Sequence, residues 1–175
     1  MRVFADGIYD LFHFGHGRSL CQAKQLFANV TLVVAVSSDE DTAKVKGSTV
    51  ETLEERVETL SHCRWVDEII PKSPWVLTPE FVKEHRIDYV VHGEDISLDA
   101  NGNDVYAWLK KEGKFITIRR TSGISTSDIV ARLIRDREKY IYRNLGRKYT
   151  RQQLNISYPY FAYLKLKEQI WRMFK

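Results

Sequence analysis

The chain has few cysteines and lacks a long apolar run. Its two cysteines, Cys21 and Cys63, do not form a Cys-x-x-Cys pair. A redox or metal site built on cysteine is therefore not indicated, and we expect both thiols to be buried and reduced. Neither a signal peptide nor a run of about 18 apolar residues is present. We expect a soluble cytoplasmic protein, with a nuclear or peripheral membrane location as the alternatives.

The chain also lacks a strong excess of either charge. Its 27 basic and 23 acidic residues leave a net charge of +4, which favours anionic ligands only mildly. Nucleic acid binding needs a concentrated basic face, so nucleic acid is not an expected partner. A length of 175 residues and a hydrophobic content of 43% are typical of one globular domain with a short appendage.

Strand-like and helix-like segments alternate along most of the chain. Residues 31–36 are continuously apolar and rich in β-branched side chains, as in a strand that is covered on both faces. Residues 52–55 and 125–128 have the spacing of a helix capping box. Strands are predicted at residues 1–5, 31–36, 66–70, 88–92 and 114–119, and helices at residues 15–27, 52–63, 79–85, 104–112, 126–144 and 160–174.

This alternation predicts an α/β protein with a Rossmann-like three-layer fold, a central parallel sheet and a C-terminal helical extension. The catalytic domain is predicted at residues 1–145, and the extension, with a short aromatic and basic helix, at residues 146–175. Ligands of such folds bind outside the carboxyl ends of the strands. The chemically useful side chains that follow the predicted strands, directly or in the next loop, are His13, Lys46, Trp75, His92 and Arg120.

The segment His13-Phe14-Gly15-His16 lies where a strand should pass into a helix. Glycine lets the backbone come close to a ligand, and the free N–H groups of a helix start attract phosphate. Imidazole N–H groups can add hydrogen bonds to oxygens that gain charge in a transition state. The alternatives are a capped helix with a buried histidine and a metal site, for which no third ligand is evident.

The segment 120–127 combines a guanidinium group, a glycine turn, hydroxyl side chains and a helix start. Each of these is a phosphate ligand type. An ordinary helix cap formed by Ser125 is the alternative. Residues 13–16 and residues 120–128, in this order and about 105 residues apart, resemble the HxGH and RTxGxSTSD signatures of the cytidylyltransferase branch of the nucleotidyltransferase superfamily. The resemblance extends from Arg2 to about Tyr158.

The resemblance implies a reaction in which a phosphorylated alcohol attacks the α-phosphate of CTP and pyrophosphate leaves, without a covalent enzyme intermediate. A magnesium ion is expected on the triphosphate of CTP, and no carboxylate cage for a metal is evident. The family is commonly dimeric, so a homodimer is expected. The residues at the family's catalytic positions are His13, His16, Lys46 and Arg120.

The resemblance also assigns a wider set of residues to CTP. Arg56 matches a position near the nucleotide, with a structural ion pair as the alternative. The expected CTP-binding residues are Asp6, Gly7, Ile8, Tyr9, His13, His16, Lys46, Arg64, His92, Gly93, Arg120, Thr121, Gly123, Ile124, Ser125 and Thr126.

The phosphorylated alcohol is indicated by segments outside the two signatures. Residues 74–81, and several segments between 134 and 157, resemble the choline-phosphate cytidylyltransferases of phospholipid synthesis. Trp75 would face the quaternary ammonium group of phosphocholine, although a core tryptophan is the alternative. The expected phosphocholine-binding residues are Asp6, Lys46, Trp75 and Glu94.

The segment 92–98 departs from that pattern and resembles the ethanolamine-phosphate enzymes instead. The aromatic wall expected there is missing, and Glu94 or Asp95 could accept hydrogen bonds from a primary ammonium group. We predict phosphocholine as the acceptor, with phosphoethanolamine as the alternative and glycerol 3-phosphate as a weaker one. Two functions without catalysis stay open, a nucleotide-binding module and a module that associates with membranes. The aromatic and basic residues 160–175 are expected to make weak membrane contact or none.

Overall fold

The computed structural model describes residues 1–99 and 101–173. Within them, five strands form one sheet in the order β3-β2-β1-β4-β5, and every neighbouring pair is parallel. This confirms the predicted α/β fold with a central parallel sheet. The strands are β1 (Arg2–Gly7), β2 (Thr31–Ser37), β3 (Glu68–Ser73), β4 (Tyr89–Gly93) and β5 (Phe115–Ile118).

Helices connect the strands and continue beyond the last one. The predicted capping box is confirmed at the third helix, where the Thr52 side chain accepts from the Glu55 backbone and the Glu55 side chain accepts from the Thr52 backbone. The helices are α1 (Phe14–Lys24), α2 (Asp39–Val45), α3 (Leu53–Ser61), α4 (Pro79–Glu84), α5 (Ala107–Lys111), α6 (Thr126–Arg135), α7 (Arg137–Gly146) and α8 (Tyr158–Met173).

Two helical predictions were wrong in detail. Helix α2 was not predicted, because only Thr42 of its residues is buried and the segment carries no apolar repeat. The single helix predicted at residues 126–144 is two helices, α6 and α7, which are separated at Asp136. Lys46 is accordingly not at a strand exit but caps the carboxyl end of α2.

The two faces of the sheet carry separate apolar clusters. Neighbouring strand residues point to opposite faces, so Val3 packs in one cluster and Phe4 in the other. Helices α1 and α3 contribute Leu20 and Leu60 to the first cluster, whereas α5 contributes Leu109 to the second. Helices thus cover both faces of the sheet, which gives the predicted three layers.

The chain divides into two compact units, Met1–Thr126 and Ser127–Lys175. The second unit has its own cluster around Ile141, Ile156 and Leu164. The functional boundary at residue 145 stays a prediction. Residue 174 of the predicted C-terminal helix and residue 175 of the predicted extension lie outside the described residues, as do the side chains of residues 168 and 171–173.

The described residues include no helix that is long and apolar enough to cross a membrane. Both cysteines are free thiols. Cys21 and Cys63 are partly exposed, so the expectation that they are buried was wrong. Cys63 lies just past the end of α3 and packs against the first apolar cluster from its edge.

Candidate active site

The strand order reverses between β1 and β4, and the crevice at this point is where ligands bind in such sheets. Both strands end on a glycine, Gly7 and Gly93. A cavity of about 140 Å³ opens there. It is lined by Ala5, Asp6, Gly7, Ile8, Tyr9, His16, Ser19, Leu20, Val91, His92, Gly93 and Ile118.

His13 and His16 form a stacked pair at the start of α1. Their ring centroids are 3.9 Å apart and their planes differ by 16°. Nδ1 of His13 accepts from the Gly15 N–H at 3.1 Å, and Nδ1 of His16 accepts from the His13 N–H at 3.4 Å. Because both Nδ1 atoms accept, each neutral ring carries its proton on Nε2. The pair therefore offers Nε2–H donors beside the free N–H groups of a helix start.

Both imidazoles are held neutral near pH 7. Burial, and then the nearby His13, lower the pKa of His16 to about 4. Burial also lowers the pKa of His13. Stacked rings 3.9 Å apart could not both carry a positive charge without strong repulsion. At neutral pH the histidines thus act as hydrogen-bond donors and not as cations.

Residues 120–126 of the second signature belong to the same compact unit as the first signature, and Ile124 and Thr126 contact the segment around it. A Cβ atom on Gly15 would approach the His13 ring to 2.8 Å and the Ile124 side chain to 3.0 Å, so only glycine fits between them. Thr126 Oγ1 donates to the Asp10 carbonyl at 2.8 Å. The Gln22 side chain pairs with both backbone polar groups of Arg119. Segments that are more than 100 residues apart in the chain therefore meet at the start of α1.

A second, smaller cavity of about 40 Å³ lies beside the first. Asp6, Gly7, Ile8 and His92 line both cavities. The remaining residues that line the second cavity are Ser37, Lys46, Trp75, Ser97, Val105 and Tyr106.

The polar groups of the second cavity surround one carboxylate. The Tyr106 hydroxyl donates to both oxygens of Asp6, at 2.9 and 2.7 Å. Burial raises the pKa of Asp6, although His92 and Tyr106 oppose the rise. Lys46 Nζ lies 5.7 Å from the centroid of the Trp75 ring. The cavity thus combines an aromatic face, a carboxylate and a lysine ammonium group.

His92 lines both cavities and has one ring nitrogen without a hydrogen-bond partner among the described residues. Its ring lies 5.1 Å from that of Tyr106. Its Nδ1 is buried and has no hydrogen-bond partner among the described residues. An unpaired buried nitrogen is costly, so this atom is suited to bind a ligand.

The family model described as Cytidylyltransferase-like matches residues 4–132, about three quarters of the chain. The chain belongs to the cytidylyltransferase-like family. This cytidylyltransferase-like protein is 51% identical to the choline-phosphate cytidylyltransferase of Saccharomyces cerevisiae over 170 residues, which are 97% of this chain and 40% of that relative. It is 46% identical to the ethanolamine-phosphate cytidylyltransferase of Dictyostelium discoideum over 134 residues, which are 77% of this chain and 37% of that relative.

The chain spans less than half the length of these two curated relatives. Among solved structures, a lipopolysaccharide core biosynthesis protein from Thermoplasma volcanium matches with a TM-score of 0.54 and 24% identity, over 69% of this chain and 96% of that chain. That likeness is one of fold and extends no further.

Some of the expected site residues of this cytidylyltransferase-like protein do not line either cavity. Arg120 is exposed and its guanidinium pairs with the carboxylate of Asp95 at 2.5 Å. Glu94 is exposed, and the guanidinium of Arg64 stacks on Trp65 at 4.2 Å. Thr121, Gly123 and Ser125 lie in the connection between β5 and α6. The roles assigned to these residues stay predictions.

The contacts of Arg56 and Trp75 in the cytidylyltransferase-like protein bear on the alternatives given for each of them. Arg56 is fully buried, donates to the carbonyls of Ile8 and Ser37, and pairs with Asp39, so it holds the ends of β1 and β2 together. Trp75 packs partly against the second apolar cluster and also faces the cavity. It is therefore both a core and a cavity residue.

Tyr106 and Ser97 line the second cavity and were not predicted from the sequence. Tyr106 follows a polar loop and reaches a carboxylate 100 residues earlier in the chain. No local pattern marks such a contact, but an aromatic residue in the first turn of a predicted helix is a signal that could have been followed.

Proposed function

We propose that the protein transfers the cytidylyl group of CTP to phosphocholine, which gives CDP-choline and pyrophosphate. One observation carries the proposal: adjacent cavities share Asp6 and His92, and the first is lined in addition by His16, a neutral donor, whereas the second is lined in addition by Lys46 and the aromatic face of Trp75. The first suits phosphates and the second suits a quaternary ammonium group. The yeast relative named choline-phosphate cytidylyltransferase, which aligns with 97% of the chain, supports the same acceptor.

The transfer needs positioning and charge stabilisation more than proton chemistry. A phosphate oxygen of the acceptor bonds to the α-phosphorus of CTP, and the bond from that phosphorus to the pyrophosphate oxygen breaks. His13 and His16 would donate Nε2–H hydrogen bonds to phosphate oxygens that gain charge. The N–H groups at the start of α1 would add to this field.

Arg120 has a competing partner in the free protein. Its ion pair with Asp95 is exposed to solvent on both sides, with 58% and 65% of the side chains accessible. Exposed ion pairs contribute about 1 kcal/mol or less. The triphosphate of CTP carries more charge than one carboxylate, so we propose that it displaces Asp95 and takes the guanidinium of Arg120.

Lys46 has a place in each half of the reaction. In the free protein its ammonium lies near Trp75, and its positive charge opposes the rise in the pKa of Asp6. A quaternary ammonium donates no hydrogen bond and prefers an aromatic face with a carboxylate nearby. We propose that the choline group takes this place and that Lys46 moves to bridge the phosphates of acceptor and CTP.

Magnesium is proposed to arrive with the nucleotide. The described residues hold no group of three or more His, Cys, Asp or Glu side chains that could bind a metal ion together. A magnesium ion usually keeps several waters and binds phosphate oxygens with one or two carboxylates. We therefore propose the magnesium complex of CTP as the substrate, in which the ion neutralises charge on the leaving pyrophosphate.

The oligomeric state, the compartment and the membrane contact are proposals that rest on the family resemblance. We propose a homodimer in the cytoplasm, with weak membrane contact or none through residues 160–175. Light scattering after size exclusion tests the dimer, and co-sedimentation with anionic vesicles tests the membrane contact.

Pyrophosphate release with CTP tests the proposed reaction directly. We expect the specificity constant to be highest for phosphocholine, lower for phosphoethanolamine and lowest for glycerol 3-phosphate. His16→Ala should lower turnover by about 10²- to 10³-fold, as for loss of one transition-state donor. His62→Ala is the matched control, since His62 is an exposed histidine outside both cavities. A normal rate for the His16 variant would contradict the mechanism.

Phosphoethanolamine is the second candidate acceptor. The observation that favours it is Ser97 at the cavity, where an aromatic wall would suit choline better. Trp75→Ala tests the aromatic face: it should raise the Michaelis constant for phosphocholine more than that for CTP, and equal effects on both would show that Trp75 is only a core residue. A specificity constant that is higher for phosphoethanolamine than for phosphocholine would replace the first proposal with the second.

A further inference from the structure

The loop between α2 and α3 carries Lys46, and its two ends differ in their attachment. Residues 46–48 are exposed, and Gly47 has a φ of 92°. Val50 and Glu51, by contrast, donate their N–H groups to the carboxylate of Asp10, at 3.0 and 2.9 Å. The loop is thus tied down four residues after Lys46.

The tie runs in both directions. The carboxylate of Glu51 accepts from the Leu11 N–H at 2.6 Å, so the loop and the turn before α1 exchange hydrogen bonds. Leu11 has a φ of 47°, a conformation that is costly for leucine and needs support from its surroundings. We call Asp10, Leu11, Val50 and Glu51 the loop clasp. It joins the lysine loop to the turn that leads into His13 and His16.

We propose that Glu51 is a positioning residue for the transfer reaction, which acts by keeping the Lys46 loop against the histidine turn. The proposal rests on the proposed function, because it concerns the delivery of Lys46 to the phosphates. Glu51 is half-buried at the clasp and lines neither cavity, so it would not touch a substrate.

Chain length gives the physical reason. With the clasp closed, four residues separate Lys46 from its tether at Val50, a reach of about 14 Å at most. With the clasp open, the Thr49 hydroxyl bond to Asp39, which is 3.5 Å long, and the Leu53 N–H bond to Asp39 still attach the loop to the start of α2. Where the long Thr49 bond also opens, the seven residues from Lys46 to Leu53 allow a reach of about 25 Å. The lysine ammonium would then explore a larger volume, so its effective concentration at the phosphates would fall.

The first test compares Glu51→Ala with Glu54→Ala, whose side chain is exposed on the first turn of α3. Glu51→Ala removes the bond to the Leu11 N–H and keeps the two backbone bonds to Asp10, so it loosens the clasp without removing it. We expect Glu51→Ala to lower the specificity constant for the acceptor about three- to tenfold, and Glu54→Ala to leave it unchanged. Glu51→Gln keeps an oxygen that can accept from Leu11 and should recover most of the loss. It also serves if Glu51→Ala does not fold.

A double-mutant cycle separates positioning of Lys46 from damage to the histidine turn. In a Lys46→Ala background, Glu51→Ala should have no further effect, because the group that it positions is gone. If Glu51→Ala lowers activity equally in both backgrounds, the residue acts on the turn and the proposal is wrong.

Trypsin supplies a measurement that needs no activity. Cleavage after Lys46 requires the exposed part of the loop to open locally. Glu51→Ala should speed this cleavage at least about threefold relative to wild type and Glu54→Ala, as measured by mass spectrometry. Unchanged cleavage would overturn the clasp. If the wild type shows no transfer from CTP, the proposed function fails, and the cleavage rates still decide whether the clasp exists.

Discussion

At the scale of single residues, the histidine pair shows how backbone hydrogen bonds choose a chemical role. Both Nδ1 atoms are occupied by N–H groups of the same helix start, which leaves Nε2–H as the outward donor on each ring. The pairing also buries the rings and keeps them neutral. The side-chain caps of α1 therefore leave both outward donors available, so a capped helix does not exclude the proposed phosphate site.

The lowered pKa of His16 predicts a pH dependence of stability. With a pKa of about 4 in the folded state, His16 binds fewer protons between pH 4 and 6.5 than it does in the unfolded chain. The free energy of unfolding should therefore rise with pH across this window, and the contribution should be complete above pH 6.5. Urea denaturation at several pH values measures it.

His16→Gln is the control for this pH dependence, because glutamine does not titrate. The variant should lose the share of the rise between pH 4 and 6.5 that comes from His16 and keep the share from His13, whose pKa is also lowered. A His16 NMR titration with a midpoint near 6.5, or a pH profile that the variant leaves unchanged, would contradict the role of burial.

At the scale of an element, the close contact at the start of α1 predicts opposite effects for two glycines. Gly15→Ala forces the His13 ring or Ile124 aside, which should cost about 1–3 kcal/mol of stability and also lower turnover. Gly17 lies in the same helix, and a Cβ there would meet only Phe12, at 4.0 Å. Gly17→Ala should be neutral or stabilise the fold by up to about 1 kcal/mol.

Urea denaturation and pyrophosphate release measure the two effects together. Equal stability of the two alanine variants would show that the stacked histidines can shift without cost. That result would remove the steric reason for glycine at position 15.

The elements also show what could be read from the sequence. Patterns that a strand or a helix carries within itself were read well: the apolar run of β2 and the capping box at Thr52 both formed as predicted. Helix α2 was not predicted because a Ser38 cap and an acidic first turn stabilise it without an apolar face. The break between α6 and α7 at Asp136 was not predicted because the helical spacing of apolar residues continues through it.

Site residues followed the same rule. His13, His16 and Trp75 stand in short local motifs and could be proposed from them, whereas Tyr106 and Glu51 contact partners 100 and 40 residues away in the chain. Such contacts depend on the strand order, which sequence periodicity does not give. The parallel order around β1 is what brings them to one edge of the sheet.

At the scale of the whole molecule, we expect the buried strands to resist local opening more than the loops of the proposed active site. Residues 32–36 of β2 are fully buried, as are Val3 and Phe4 of β1. The loops at residues 46–48 and 94–96 are exposed. Slow hydrogen exchange requires the opening of buried, hydrogen-bonded structure, so exchange should be slowest in β1 and β2.

Hydrogen exchange with peptide mass spectrometry checks this distribution. Peptides from β1 and β2 should be the last to exchange, and peptides from α7 and α8 should exchange earlier, because the second compact unit has a smaller apolar cluster. CTP should slow exchange at residues 46–48 and 120–126 and leave β2 unchanged, since a ligand protects the segments that it orders. Protection of α8 equal to that of β2 would show that the centre of the sheet is not the most stable part of the fold. A CTP effect confined to the second unit would show that the nucleotide binds elsewhere.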